Sequence, residues 1–215
     1  MIDFSGSTKS VWIVGSSIIR DAFIEARSSY GGSNLDLARH GLSLWWQGKG
    51  GLCVKDIKNK LLTLLKVENS PDIIILHCGG NDIGNIKSYV LRNQLFSVLQ
   101  FLRRNFPQTR IVWSQILPRL RYRNEGNHLA LEKVRKRINS YMAALVIRAG
   151  GFYIKYPEID EKNAGFFKTD NVHLNQLGNQ VFLYRIQQAL QRFASSNNVV
   201  SPQMGEFGPW LINNQ

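Results

Sequence analysis

Four features, in one order along the chain, have side chains or backbone suited to acid–base and nucleophilic chemistry: Ser17, Gly51, Asn81, and Asp170 with His173. Ser17 follows an apolar run, Val11 to Val14, and Gly15. Its hydroxyl is expected at a helix start, where free N–H groups and the helix dipole favour a developing negative charge, as an acyl-transfer nucleophile requires. Ser17, or its neighbour Ser16, could instead simply cap that helix. Asp170 stands three positions before His173, close enough on one turn for the carboxylate to hold Nδ1–H and leave Nε2 free as a base. A histidine beside a loop can also be merely exposed. Asn81 follows a glycine pair and offers a side-chain N–H to an oxyanion, and Gly51, lacking a Cβ, offers a backbone N–H. Each of these alone is also an ordinary turn signal.

The elements that must position these residues alternate short apolar runs with longer amphipathic segments, the pattern of βαβ units building a parallel sheet. Strands are expected at 11–14, 42–46, 72–77, 110–117 and 151–156. Helices are expected at 18–27, 54–65, 86–105, 128–148 and 174–193. The run Asp72 to His77 is apolar on both faces and reads as a central strand. In the long helix Val134, Ile138, Tyr141, Met142 and Leu145 share one side, while Lys133, Lys136 and Arg137 project from the other. The expected fold is α/β, a three-layer sandwich around a mostly five-stranded parallel sheet close to a flavodoxin-like order. Strands of such a sheet deliver functional groups at their carboxyl ends, where Ser17, Asn81 and the Asp170–His173 pair all stand. Residues 1–194 read as one domain. From Ser195 to Gln215 the composition turns to Ser, Asn, Gly and Pro without periodicity, and a flexible tail is expected.

Composition narrows the function classes. An apolar fraction of 44% over 215 residues excludes disorder as the main state. Cys53 and Cys78 are too few and too widely spaced for a disulfide framework or a CxxC-type zinc site. His77, directly before Cys78, reads as a buried, hydrogen-bonded histidine rather than a metal ligand, and His40 and His128 have no partner pattern. No metal or organic cofactor is expected. The N-terminal apolar run is far too short for a signal-peptide core or a membrane span, so a soluble cytoplasmic protein is expected, with a nuclear or nucleoprotein-particle location as an alternative.

The net charge is +12, and the segment 101–155 holds 12 basic and two acidic residues, +10 of that total. Within it Arg119, Arg121 and Arg123 surround Tyr122, and Lys133, Lys136 and Arg137 line the helix face. These six are the candidate anion-binding residues, for nucleic acid, acidic lipid head groups or an acidic substrate; a solvated face accounts for them equally well.

The order and spacing of the four chemical features resembles the SGNH, or GDSL-type, hydrolase family, over about Val11 to Phe193. Val14-Gly15-Ser16-Ser17-Ile18 matches the first block with Ser16 where the family has Asp, which implies Ser17 as nucleophile. The second-block glycine falls on Gly51, with Gly50 as the alternative register. Gly79-Gly80-Asn81-Asp82 matches the third block in full, and Asp170 to His173, followed by Leu174 and Asn175, matches the last. The resemblance implies a serine esterase that forms an acyl-enzyme at Ser17, with Asp170 and His173 as its partners. Ser17 N–H, Gly51 N–H and Asn81 would form the oxyanion hole, and Asp82 would hold the turn. A small ester or lipid is the implied substrate, acetyl esters first, with Trp45, Trp46 and Arg119 as a wall beside the site. Gly15-Ser16-Ser17-Ile18-Ile19, Trp45 to Gly51 and Ser114 to Arg119 look most like esterase domains encoded by eukaryotic retrotransposons. The rival expectation is a catalytically weak or inactive module of the same fold that binds nucleic acid or acidic membranes through 101–155.

Overall fold

The structure, a computed structural model, describes residues 8–122 and 127–195. Five strands form one all-parallel sheet: β1 (Lys9–Gly15), β2 (Leu42–Gly48), β3 (Ile73–His77), β4 (Arg110–Ser114) and β5 (Phe152–Ile154). Their spatial order is β2-β1-β3-β4-β5, the expected flavodoxin-like order. Five helices connect and flank them: α1 (Ser17–Ser28), α2 (Ile57–Leu64), α3 (Ser88–Asn105), α4 (His128–Arg148) and α5 (Gln176–Ser195).

Successive strand residues point to opposite faces, so each strand feeds two cores. Val11, Ile13, Ile73 and Ile75 pack with Ile19 and Ala22 of α1 and Phe182, Ile186 and Leu190 of α5. Trp12, Val14, Ile74 and Leu76 pack with Leu61 of α2, Leu95 and Leu102 of α3, and Ile138 and Met142 of α4. The chain leaves β1 toward β2 on one side and returns to β3 on the other, so a crevice forms at the carboxyl ends of β1 and β3. Register aligns those ends: Gly15 pairs with Gly48 on one flank and His77 on the other.

The element boundaries differ from expectation where side chains capture the backbone. β4 stops at Ser114 rather than 117 because Ile116 leaves the sheet for α4: its N–H donates to Asn139 Oδ1, and its carbonyl accepts from Asn139 and Arg135. β5 is likewise shorter, β2 runs on to Gly48, and α5 starts two residues late at Gln176. Ser195 is the last residue of α5, and the remainder of the expected tail, 196–215, lies outside the described residues. Among the described residues no helix is long and apolar enough to cross a membrane.

Helix α1 lies against bare backbone at the sheet's edge. A Cβ on Gly15 would overlap the His77 carbonyl oxygen and the Ile19 side chain, and one on Gly48 would overlap the backbone N and Cα of Arg20. Backbone cannot rotate away as a side chain does. Gly48→Ala is therefore expected to lower unfolding stability by about 1–3 kcal/mol, as overpacking does, read as a lower urea midpoint at unchanged slope. A variant of wild-type midpoint would mean that α1 does not sit this close to β2.

Candidate active site

Ser17 is the first residue of α1, one position past the Ser16 N-cap. The Ser16 side chain makes no capping bond; its carbonyl accepts from Ile19 and Arg20 instead. Ser17 Oγ lies 2.8 Å from His173 Nε2, so neither serine hydroxyl serves as a helix cap. His173 Nδ1 lies 2.6 Å from Asp170 Oδ2. The other Asp170 oxygen accepts from the Val172 and His173 N–H groups, each at 2.9 Å. Burial pushes the Asp170 carboxyl up, but the His173 N–H and ring and the Val172 N–H outweigh it and hold the group at about 2. Asn171 adopts φ 61°, a left-handed conformation that Asn tolerates better than most residues, and this closes the turn that brings Asp170 under His173.

The glycine loop after β2 is stitched to both neighbouring strand ends. Lys49 N–H donates to the Gly15 carbonyl, Asn81 Nδ2 to the Leu52 carbonyl, and Val54 N–H to the Asp82 carboxylate. Gly51, at φ 71°, turns the backbone between these anchors. No described residue accepts from the N–H of Ser17 or of Gly51. Asn81 Oδ1 accepts from Arg119 Nη2 at 2.9 Å, and Nδ2 keeps a second hydrogen after serving Leu52. Such an arrangement can deliver a hydroxyl nucleophile, a base with its orienting carboxylate, and N–H donors to one crevice.

Residues 13–181 match the GDSL-like lipase/acylhydrolase family. The chain belongs to that family. Ester hydrolysis is the general activity that membership carries. Solved structures repeat the fold. A GDSL-like lipase from Bacteroides thetaiotaomicron shares 15% identity at TM-score 0.63, over 86% of this chain and 89% of that one. A catalytic mutant of an acetylxylan esterase from Geobacillus stearothermophilus shares 12% at TM-score 0.61, over 85% and 94%. A mutant acetyl esterase with an acetate ion shares 17% at TM-score 0.63, over 87% and 98%. No curated protein sequence matches the chain.

Around this acylhydrolase fold the other sequence-derived candidates scatter. Trp45 packs edge-on against Trp12, while Trp46 packs beside Phe23 and donates its indole N–H to the Ser33 carbonyl. Being consecutive on β2 they pack into opposite cores and cannot together form one wall, whereas Arg119 bonds Asn81. Arg121 is exposed, and Arg123 lies outside the described residues. Lys133 and Arg137 are exposed on the outer face of α4, but Lys136 pairs with Glu161 at 2.9 Å. Arg135, between them in sequence, is buried against Glu132 at 2.7 Å. His77 is buried with Nδ1 3.0 Å from Ser114 Oγ, and burial, with the nearby Arg119 charge, pushes it down to about 3. A cavity of about 430 Å³ opens between α4 and the segment after β5, lined by residues including Asn139, Ala143, Tyr153 and Ile159. None of Ser17, Asn81, Asp170 or His173 lines it. Among the described residues no group of three His, Cys, Asp or Glu could hold a metal ion.

Asp82, buried beneath the glycine loop, is pushed up by burial to about 6, with the Val54 N–H pulling the other way. An unfolded aspartate titrates near about 3.9, so between about 4 and 6 the native state binds the proton more tightly and stability falls as pH rises. Asp82→Asn keeps an acceptor for Val54 and removes the titration. Unfolding free energies of wild type and variant should diverge in the variant's favour across that window, by roughly 1–3 kcal/mol at about 1.4 per unit of pKa difference. Parallel profiles would show that the carboxylate ionises there without penalty.

Proposed function

We propose that the protein is a serine carboxylic-ester hydrolase with Ser17 as nucleophile, His173 as general base and acid, and Asp170 orienting His173. The observation that carries this reading is the unbroken hydrogen-bond chain from Ser17 Oγ through His173 to Asp170, at 2.8 and 2.6 Å. In it, Oγ attacks the ester carbonyl as its proton passes to Nε2, and the carbonyl oxygen becomes an oxyanion held by Ser17 N–H, Gly51 N–H and Asn81 Nδ2. The C–O bond to the alcohol breaks, and the alkoxide leaves with the proton from Nε2. Water then gives its proton to Nε2 and attacks the acyl-serine, releasing the acid and regenerating Oγ–H. These steps call on no metal or organic cofactor. In this reading 1–194 is one hydrolase domain, and α5 carries it one residue further, to Ser195. Small acyl groups, acetyl first, are the proposed substrates; two fold neighbours are named as an acetyl esterase and an acetylxylan esterase.

On an aryl acetate, Ser17→Ala or His173→Ala is expected to remove activity by up to about a million-fold, and Asn81→Ala by roughly 100- to 1,000-fold. Ser16→Ala should keep most activity. An active Ser17→Ala enzyme would overturn the assignment of the nucleophile, and a series of aryl esters of rising chain length tests the acyl preference.

A second reading, binding of nucleic acid or acidic membranes by 101–155, is favoured by the exposure of Lys133 and Arg137 on one outward helix face. Phosphate-driven binding weakens steeply with salt and shows little sequence preference. Reversing both residues to Glu is expected to weaken salt-sensitive retention on nucleic acid or acidic vesicles while leaving aryl acetate hydrolysis unchanged. Unaltered retention would make this face solvent-exposed surface alone.

A further inference from the structure

We propose that Arg119 is a positioning residue for the reaction, acting through the Asn81 amide; this rests on the hydrolytic reading above. Asn81 has two bonds of opposite sense. Its Oδ1 accepts from Arg119 Nη2 at 2.9 Å, and its Nδ2 donates to the Leu52 carbonyl at 3.1 Å. Rotating the amide by a half turn would set NH2 against a guanidinium and oxygen against a carbonyl, two repulsive pairs in place of two bonds. The guanidinium therefore selects the orientation in which NH2, never the oxygen, is available to an oxyanion. The bond to a full positive charge also draws electron density toward Oδ1, which leaves the N–H groups stronger donors.

The surroundings serve this contact. A Cβ on Gly80 would stand 3.2 Å from Arg119 Nη2, so the glycine before Asn81 leaves room for the guanidinium to lie along the backbone. Arg119 is carried on a segment fixed at both ends. On one side Ile116 is held by Asn139 and the buried Arg135. On the other, the Leu120 and Arg121 N–H groups donate to the Asn171 carbonyl at 2.9 and 3.2 Å. Asn171 lies inside the Asp170–His173 turn, so one segment after β4 grips both the oxyanion donor and the acid–base pair. Arg119, whose charge in the sequence suggests an anion-binding residue, donates here to a neutral amide.

The test is a double-mutant cycle on a neutral aryl acetate, which offers no anionic group for Arg119 to bind. Arg119→Met, which keeps bulk without charge, is expected to lower kcat on the order of 10- to 100-fold with KM nearly constant, and Arg119→Lys to restore part of the loss. In the Asn81→Ala background the same change should cost less than about two-fold further, because the residue it acts through is gone. Full additivity of the two losses, or an Arg119→Met enzyme of wild-type kcat, would overturn the proposal. If Arg119→Met fails to fold, the cycle is run with Arg119→Lys, and additivity there overturns it equally. An Asn81→Ala enzyme of undiminished kcat would refute the oxyanion role of Asn81 and this inference together, whereas loss in Asn81→Ala without loss in Arg119→Met refutes this inference alone.

Discussion

The site depends on one close approach, that of the first turn of α1 to the carboxyl ends of β1 and β2. With hydrogen in place of side chains at Gly15 and Gly48, the helix settles directly on the ends of β1 and β2, and Gly15 at the same time leaves room for the His77 carbonyl of β3. A tight turn through Ser16 then leaves no slack: the Ser16 carbonyl takes the first helical bonds, from Ile19 and Arg20, and Ser17 starts the helix. The backbone of Ser17 is therefore set by packing, its hydroxyl is held by the bond to His173 Nε2, and the helix dipole points its positive end at the crevice. A helix displaced outward by the width of a methyl group would carry Oγ away from His173.

Around that fixed serine the remaining groups arrive on three irregular segments, and each is held by polar bonds because no strand or helix ladder reaches it. The glycine loop hangs from Gly15, Asn81 and Asp82. The Asp170–His173 turn is closed by its own carboxylate. The segment after β4 rests on a buried cluster in which Arg135 bridges Glu132 and the Ile116 carbonyl, while Tyr122 donates to Glu132. Burying that ion pair is expensive, and it gains little stability over an apolar substitute; what it supplies is a fixed direction for the chain leaving β4. Asp82 plays the same part under the glycine loop, where its two oxygens accept one backbone N–H at the expense of holding a carboxylate out of water.

The contrast between what the sequence discloses and what it conceals follows the range of the interaction. Runs such as Val11 to Val14 and Ile73 to Leu76 declare strands covered on both faces, and the Asp170–His173 spacing declares a one-turn contact, since both depend on neighbours in sequence. Arg119 and Asn81 are 38 positions apart and meet only because β3 and β4 are adjacent, which no local pattern encodes. Arg135 is concealed for a related reason: helical spacing sets it in line with Ile138 and Met142 on the buried side, but its charge argues for solvent until Glu132, one turn away, is seen to supply the partner that allows both to be buried. The Trp45 and Trp46 wall, by contrast, was excluded by information already present, because consecutive strand residues cannot face the same side.

The exposure of Asp170 bears on how the proposed mechanism divides its labour. Its side chain is 48% exposed, against 26% for His173, so water screens the attraction between the carboxylate and a protonated imidazole. Little of the proposed rate can then come from charge pairing at that end of the chain. Three donors nonetheless hold the carboxylate, two from the backbone of its own turn and one from the ring, and they define a single direction for Nδ1–H. Orientation of the ring, which needs bonds but not a dry environment, is the contribution this geometry allows Asp170. In the proposed mechanism the electrostatic share falls to the oxyanion donors, the start of α1, the Gly51 N–H and the Asn81 amide that Arg119 backs. Their worth grows as a bound ester displaces water from the crevice, which ties the rate to how well the acyl group fills it.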